Sequence, residues 1–465
     1  MDQLNTSSRR TFLKDSLLCS GAALLAPSLG GLVACAKPVG GATSGSAPAA
    51  NGDAGGYGPL IQAGPDLELP PGFRYTVISA SGLPMSNGRP TPNAFDGMAA
   101  FALPNGNVRL LRNHENRDLP ARQKLKGDPA LAYDSRAGGG VTSLEVRIPS
   151  NGPPVLVRQF VALSGTIVNC AGGLTPWGSW LTCEESSQGA ESGWGKEHGY
   201  VFEVPAAAES EVKRDPLKGM GRFIHEAVAV DPATGMVYQT EDRPTAGFYR
   251  FIPRTRGRLA DGGTLEMLAL RNRPNYDTAI GQTVGRILRA YWVTIAEPDP
   301  KSAAIDLAAV YSQGFAQGGT RFSRLEGCWF GDKSIYFNAT DGGSAGAGQV
   351  WQYRPTDSNE GDLVLVFESP SRELLDRPDN ITVSPRGGLV VCEDAAPEQY
   401  VRGITKDGRI FNFARNIANT TEFCGACFSP DGRTLFLNIQ GSTRDEGTVP
   451  AMTFAVQGPW ERGAL

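Results

Sequence analysis

From residue 57 onward the apolar and polar positions repeat one pattern. An apolar residue leads into a turn carrying Pro or Gly, a short run rich in Val, Leu, Phe or Tyr follows, and acidic or amide residues end it. The pattern occurs at Ala102-Leu103-Pro104-Asn105-Gly106, continuing through Val108-Arg109-Leu110-Leu111 to Asn113-His114-Glu115. It returns at Val230-Asp231-Pro232-Ala233-Thr234-Gly235, then Met236-Val237-Tyr238, then Glu241-Asp242. A third copy runs from Val383-Ser384-Pro385 through Leu389-Val390-Val391-Cys392 to Glu393-Asp394, and a fourth from Phe428-Ser429-Pro430-Asp431-Gly432 through Leu435-Phe436-Leu437 to Asn438 and Gln440. A looser copy starts at Thr175-Pro176 and ends on Cys183-Glu184-Glu185. Turn residues between β-branched and aromatic runs predict hairpins. Long amphipathic helical patterns are nearly absent.

Self-similar hairpins at long, irregular intervals predict the blades of a β-propeller carrying insertions, so the fold class is all-β. The propeller is placed at residues 57–465, a length that fits five to seven four-stranded blades, with six expected. Four hairpins end in Glu or Asp, with the acid 11, 8, 9 and 8 residues after the turn proline (Pro104 to Glu115, Pro176 to Glu184, Pro232 to Glu241, Pro385 to Glu393). One such ending is an ordinary solvated loop. In a propeller, however, equivalent strand ends surround one channel, so four would crowd together. Packed carboxylates repel unless protonated or neutralised by cations, and a metal cluster resolves the conflict most simply. Asp341, in Asn338-Ala339-Thr340-Asp341-Gly342, is a possible fifth ending.

Composition narrows the chemistry. Gly 58 and Pro 33 make up about a fifth of the 465 residues, which suits many turns and argues against a helical bundle. Lys+Arg 44 against Asp+Glu 48 leaves a net charge of -4, unlike a nucleic-acid binder with a dominant basic face. Three histidines exclude a His-rich ligand set, and with no Gly-x-Ser-x-Gly elbow a Ser-His-Asp hydrolase is disfavoured.

Residues 1–35 read as an address. Ser8-Arg9-Arg10-Thr11-Phe12-Leu13-Lys14 precedes an apolar, small-residue run from Ser16 to Ala34, the form of a twin-arginine export signal. Leu32-Val33-Ala34-Cys35 has the form of a lipobox; ordinary signal-peptidase cleavage nearby is the competing reading. Residues 36–56, dense in Gly, Ala, Ser and Pro, are expected to be a flexible linker. The expected location is the periplasm, reached through the twin-arginine machinery, with membrane attachment only through lipid on Cys35. Six cysteines follow Cys35, an even count that permits disulfides, but several lie in apolar runs where a buried thiol is the default.

Carboxylate oxygens at Glu184, Glu241 and Glu393 suit a hard cation such as calcium. Cys183 stands out beside Glu184-Glu185, because adjacent negative charge opposes a thiolate unless a metal binds it. A mixed thiolate and carboxylate set suits a transition metal such as iron. In an extended segment Arg324 and Glu326 share a face, and an arginine beside a metal carboxylate makes a phosphate clamp; a surface ion pair is the plainer alternative. Cys424-Gly425-Ala426-Cys427 has redox or zinc spacing but stands without a second pair or a βαβ context.

Several strings resemble the PhoX family of exported alkaline phosphatases. They are Asn113-His114-Glu115, Asn169-Cys170-Ala171-Gly172-Gly173-Leu174-Thr175-Pro176-Trp177-Gly178-Ser179-Trp180-Leu181-Thr182-Cys183-Glu184-Glu185, Gly221-Arg222-Phe223-Ile224-His225-Glu226, Tyr238-Gln239-Thr240-Glu241-Asp242, Arg324-Leu325-Glu326-Gly327, Pro378-Asp379-Asn380 with Glu393-Asp394, and Phe428-Ser429-Pro430-Asp431-Gly432. The resemblance implies a six-bladed propeller hydrolysing phosphate monoesters at a central cluster of iron and calcium. On it Cys183 is an iron ligand; Glu184, Glu241, Glu326 and Glu393, joined by Glu115 and Asp394, complete the metal set. Arg324 binds phosphate and is a catalytic candidate together with Cys183, while Asn113 or Asn169 gives a further phosphate contact. Two rivals stand beside it: a metal-bearing propeller lactonase or phosphodiesterase, which needs the acids without Arg324, and a non-catalytic calcium-stabilised propeller.

Overall fold

The computed structural model describes residues 56–122, 125–444 and 447–465. The export signal, the Cys35 lipobox and nearly all of the linker therefore lie outside the described residues. Of the described residues, no helix is long and apolar enough to cross a membrane. Their one α-helix is the short Ala309–Phe315; strands supply nearly everything else.

The predicted hairpins form, each as the first two strands of a blade. Phe95–Ala102 pairs with Val108–His114, His225–Val230 with Val237–Glu241, Pro378–Val383 with Leu389–Glu393, Phe423–Phe428 with Thr434–Ile439, and Asn169–Leu174 with Ser179–Glu184. The turn glycines do what the sequence requires of them: Gly106 and Gly432 sit at φ 83° and 70°, left-handed conformations that carry the chain round each corner. One further hairpin joins Leu325–Gly331 to Ser334–Ala339. Its turn is Asp332-Lys333, both at positive φ, and without Pro or Gly it gives no sequence signal.

Six innermost strands follow one another in a closed ring: Phe95–Ala102, Asn169–Leu174, His225–Val230, Leu325–Gly331, Pro378–Val383 and Phe423–Phe428, the last packing back on the first. We number the blades one to six in that order. The hydrogen-bonded sheets nevertheless number five. Blades three and four merge into a nine-stranded sheet because the long insertion contributes Ile287–Thr294, which pairs with the outer strand Glu360–Glu368 of blade four. Closure uses both ends of the propeller. Arg74–Ala80 pairs with Met452–Gln457 as the outer strand of blade six, and Leu67–Leu69 extends blade five beside Ile410–Asn416. Tyr57 fixes this seam, its hydroxyl donating to the Leu465 carbonyl (2.9 Å) while its ring packs edge-on against Phe73 and Trp460.

The core lies between blades, where aromatic faces stack. Phe248 of blade three lies 4.2 Å from Phe337 of blade four, with Trp292 and Tyr353 around them. Toward the axis the backbones come too close for side chains: a Cβ on Gly97 would lie 2.6 Å from Ala171 Cα, and one on Gly327 2.6 Å from the Asp379 carbonyl oxygen.

Candidate metal centre

Near the start of every innermost strand the pairing slips by one residue. The breaks fall between Phe95 and Met98, Asn169 and Gly172, His225 and Val228, Leu325 and Cys328, Pro378 and Ile381, and Cys424 and Cys427. Each places two residues opposite one, a β-bulge, and bulges re-aim side chains beside active sites. In blades one to five the first bulged residue is Asp96, Cys170, Glu226, Glu326 or Asp379, followed by Gly, Ala or Asn; blade six has Gly425-Ala426 there. The backbone is bent just upstream as well. Ala94, Val168, Arg324 and Arg377, each immediately before its innermost strand, adopt φ between 45° and 58°. Such left-handed residues cost on the order of 1–3 kcal/mol each and gather at functional sites.

A second tier sits one residue beyond the second strand. The N–H groups of Glu115, Glu185, Asp242, Thr340, Asp394 and Gln440 donate to the carbonyls of Ala94, Val168, Ile224, Arg324, Arg377 and Glu422, the same bond in all six blades. The two tiers meet in three overlapping groups whose ligand atoms lie within 4.8 Å of one another: Asp96, Glu115 and Cys170; Cys170, Glu185 and Glu226; Glu226, Asp242 and Glu326.

The electrostatics are those of crowded anions. Burial, then neighbouring carboxylates, pushes Asp96, Glu226, Glu326 and Glu422 well above the usual carboxyl range. The Cys170 thiol rises for the same reasons and lies 2.9 Å from Glu226 Oε1. Asp96 Oδ1 and Glu226 Oε2 are buried without a hydrogen-bond partner. A thiol among buried carboxylates, with orphaned oxygens pointing inward, is the donor set a multivalent cation needs.

The expected site residues divide by one position along the chain. Glu115, Glu326 and Arg324 are in the centre, and Asp394 belongs to the second tier. Arg324 forks onto Asp242, donating to Oδ1 and Oδ2 at 2.8 Å each, and its Nη2 also donates to Glu326 Oε1 at 2.7 Å. Cys183 is not in the centre. It is buried in an apolar cluster with Leu181, Val201 and Leu217; the thiol within the close acid groups is Cys170, while Cys392 and Cys424 also lie near enough to Asp96 and Asp379 for those carboxylates to raise them. Glu184 also points away, its oxygens accepting from His198 Nδ1 (2.6 Å) and from the N–H groups of Ile167, Gly199 and Tyr200. Those bonds use up its acceptor capacity. Glu241 accepts from the Gly247 N–H and the Tyr249 hydroxyl, and Glu393 from Arg402 Nε and the Asp376 N–H. Burial lifts Glu393 to about 7 against the pull of Arg402. Their neighbours Glu185, Asp242 and Asp394 hold the second-tier positions instead, because successive strand residues face opposite ways.

Both asparagine side chains are engaged with protein partners. Asn113 donates to the carbonyls of Cys170 and Ala171 and accepts from Trp180 Nε1, and Asn169 bonds Thr166 and Thr182. Both are fully buried struts under the bulge of blade two. Asp341 is exposed, and Thr340 holds its blade's second-tier place. All six described cysteines are free and buried, the Cys424/Cys427 pair flanking the blade-six bulge. Glu185 and Asp242 are passed over in the sequence for their neighbours Glu184 and Glu241, and the bulge residues missed there are Asp96, Cys170, Glu226 and Asp379. Their available signal was an acid or Cys followed by a small residue or Asn at the start of an apolar run, as in Phe95-Asp96-Gly97-Met98 and His225-Glu226-Ala227-Val228.

His198 anchors the Glu184 latch. Burial opposes charging its ring, but the Glu184 carboxylate and the Asp134 contact outweigh burial and raise it to about 9. The stability this pair contributes is complete below the ordinary histidine value of 6.5 and is lost as pH rises through 9. His198→Ala is expected to cost about 3–5 kcal/mol at neutral pH, since it strands a buried carboxylate. Thermal unfolding of wild type and variant from pH 6 to 10 checks this, and the gap should narrow at the alkaline end.

Fold and centre together define a six-bladed propeller with buried acids and the Cys170 thiol gathered at its axis. Residues 55–442 match the family described as alkaline phosphatase PhoX, and the chain belongs to that family of phosphate-ester hydrolases. Among solved structures it is similar to Pseudomonas fluorescens PhoX in complex with vanadate, a transition state analogue, at 19% identity and TM-score 0.65, covering 86% of this chain and 97% of that one. A gluconolactonase from Xanthomonas campestris matches at 12% identity and TM-score 0.39, over 87% of this chain and 99% of that one. A Bacteroides thetaiotaomicron protein of unknown function matches at 11% and 0.40, over 83% and 76%. No curated protein matches the sequence.

Proposed function

We propose that this protein is a metal-dependent phosphatase that hydrolyses phosphate monoesters at the axial centre, with iron and calcium as its resident cations. The observation carrying this reading is the juxtaposition of Arg324, forked across Asp242 and Glu326, with the three overlapping acid groups in a chain of this family. Cys170 with Asp96, Glu115, Glu185 and Glu226 would hold iron, because a thiolate among carboxylates suits a transition metal. Glu226, Asp242 and Glu326, all oxygen donors, would suit calcium. Bound cations supply charge neutralisation at the phosphoryl oxygens and activation of a water.

The chain's own residues do the rest. Arg324, held on Asp242 and Glu326, places a positive charge beside the acid groups that favours a phosphate anion, and its left-handed backbone, whose carbonyl accepts from the Thr340 N–H, fixes where that side chain starts. Gly97, Ala171, Ala227 and Gly327, after the bulged residues of blades one to four, let the neighbouring backbones converge and so help fix where those side chains stand. The Arg9-Arg10 segment favours twin-arginine export to the periplasm, with lipid attachment if Cys35 is modified.

Elemental analysis of purified protein, paired with hydrolysis of a chromogenic phosphate monoester with and without chelator, tests the reading. Iron with calcium and chelator-sensitive turnover is the expected result. Metal without turnover on any phosphate ester would overturn it in favour of a binding propeller.

A further inference from the structure

Four arginines crowd one groove at the seam of blades five and six. Arg74, Arg386, Arg433 and Arg462 line it together with Pro459 and Trp460, and Glu461 is the one acid among its lining residues. Their charge is not matched within the groove. Arg74 donates to Gln457 Oε1 (3.1 Å) and Arg386 Nε to the Gly463 carbonyl (3.1 Å), both neutral acceptors, and none of the four is ion-paired among the described residues. Asp431, in the turn beside Arg433, accepts instead from the Ser429 hydroxyl (2.6 Å) and the Arg433 N–H (3.2 Å).

The groove lies at the end of the blades away from the acids. Pro378–Val383 and Phe423–Phe428 begin at the metal centre and run away from it to the turns that carry Arg386 and Arg433. The described chain also starts at this end, where the Tyr57 hydroxyl lies 3.1 Å from the carbonyl of Trp460 in the groove wall. Between Cys35 and Gly56 lie 20 residues, and a stretch of that composition and length spans roughly 25 Å. A lipid on Cys35 would be tethered beside the arginines.

We infer that this groove is a docking surface for the anionic phospholipid headgroups of the membrane that holds a lipidated Cys35. Charge complementarity carries the inference together with the place where the chain enters. A guanidinium fork matches phosphate oxygens, and four of them without carboxylate partners share one concavity of a chain whose net charge is -4. A lipid on a tether limits distance but leaves orientation free. Seating the arginines on headgroups fixes orientation as well, and it turns the metal centre away from the bilayer.

The test uses the full chain carrying Cys35→Ser, so that no lipid contributes, with vesicles of phosphatidylcholine alone or mixed with phosphatidylglycerol, read by co-sedimentation. Binding to the mixed vesicles only, weakening as salt is raised, is the expected result. Combining Arg433→Gln with Arg462→Gln is expected to weaken it about ten- to thirtyfold, since each arginine near an anionic surface contributes about fivefold. The matching double lysine variant keeps the charge and should retain most of the binding. Equal binding to neutral and mixed vesicles, or unchanged binding by the glutamine variant, overturns the inference. So does loss of turnover on a soluble phosphate ester when vesicles bind, because the headgroups would then occupy the metal centre. Protein purified from the cell envelope should carry lipid on Cys35, and cleavage beyond that residue removes the occupant and overturns the inference too. Co-sedimentation reads the same whether or not the chain hydrolyses phosphate esters, so this inference and the phosphatase reading fail separately.

Discussion

Cys170→Ser is expected to strip the thiolate-dependent metal and lower turnover of a phosphate monoester by at least about a hundredfold, while Cys183→Ser keeps both. Partners one shell away from a metal already cost tenfold to a hundredfold when lost, and Cys170 lies inside two of the three acid groups. Its thiol is pushed up by burial and by Asp96, Glu226, Glu115 and Glu185. It stays protonated in that setting until a cation displaces the proton. Cys183 packs in an apolar cluster outside the three acid groups, so its replacement should cost stability, about 1–2 kcal/mol, and leave the chemistry alone. Elemental analysis, turnover and thermal unfolding on both variants decide the matter. Metal loss in Cys183→Ser with Cys170→Ser unaffected would reverse the assignment.

The adjacent pair Glu241 and Asp242 makes the second contrast. Asp242→Asn removes a charge from one acid group and half of the fork that holds Arg324, and a drop in kcat/KM of about a hundredfold is expected with folding nearly intact. Glu241→Gln instead weakens a buried acceptor serving the Gly247 N–H, Tyr249 and Arg243. Its expected cost is about 1–3 kcal/mol of stability, with turnover per folded molecule changed by no more than a small factor. Steady-state kinetics alongside unfolding curves separate the two.

The same one-residue displacement explains what the sequence could and could not reveal. Hairpins announced by Pro and Gly were readable, because turn chemistry is local. The Asp332-Lys333 turn was not, since nothing in its composition demands positive φ. That acids would crowd at an axis was also readable, from Glu184-Glu185, Glu241-Asp242 and Glu393-Asp394. Which member of each pair faces inward was not, because facing alternates along a strand and the register near the axis is set by the bulges. A bulge arises from how closely neighbouring backbones pack, as at Gly97 against Ala171, and that is a property of the assembled ring. Cys170 was hidden for the same reason: it looked like a strand cysteine before a run of small residues, and only the slip between Asn169 and Gly172 turns it to the axis.

The seam between Arg74–Ala80 and Met452–Gln457 carries a consequence for biogenesis. Blade six takes its outermost strand from a segment made hundreds of residues earlier, and Gln440, near the far end of the chain, bonds both Asp96 and Glu115 of blade one. A nascent polypeptide therefore emerges from the ribosome with its acids already synthesised but not yet gathered. A chain lacking Met452–Gln457 would keep every acid of the three groups and Gln440, yet lose the strand that joins the sixth blade to Arg74–Ala80 and so closes the ring around them.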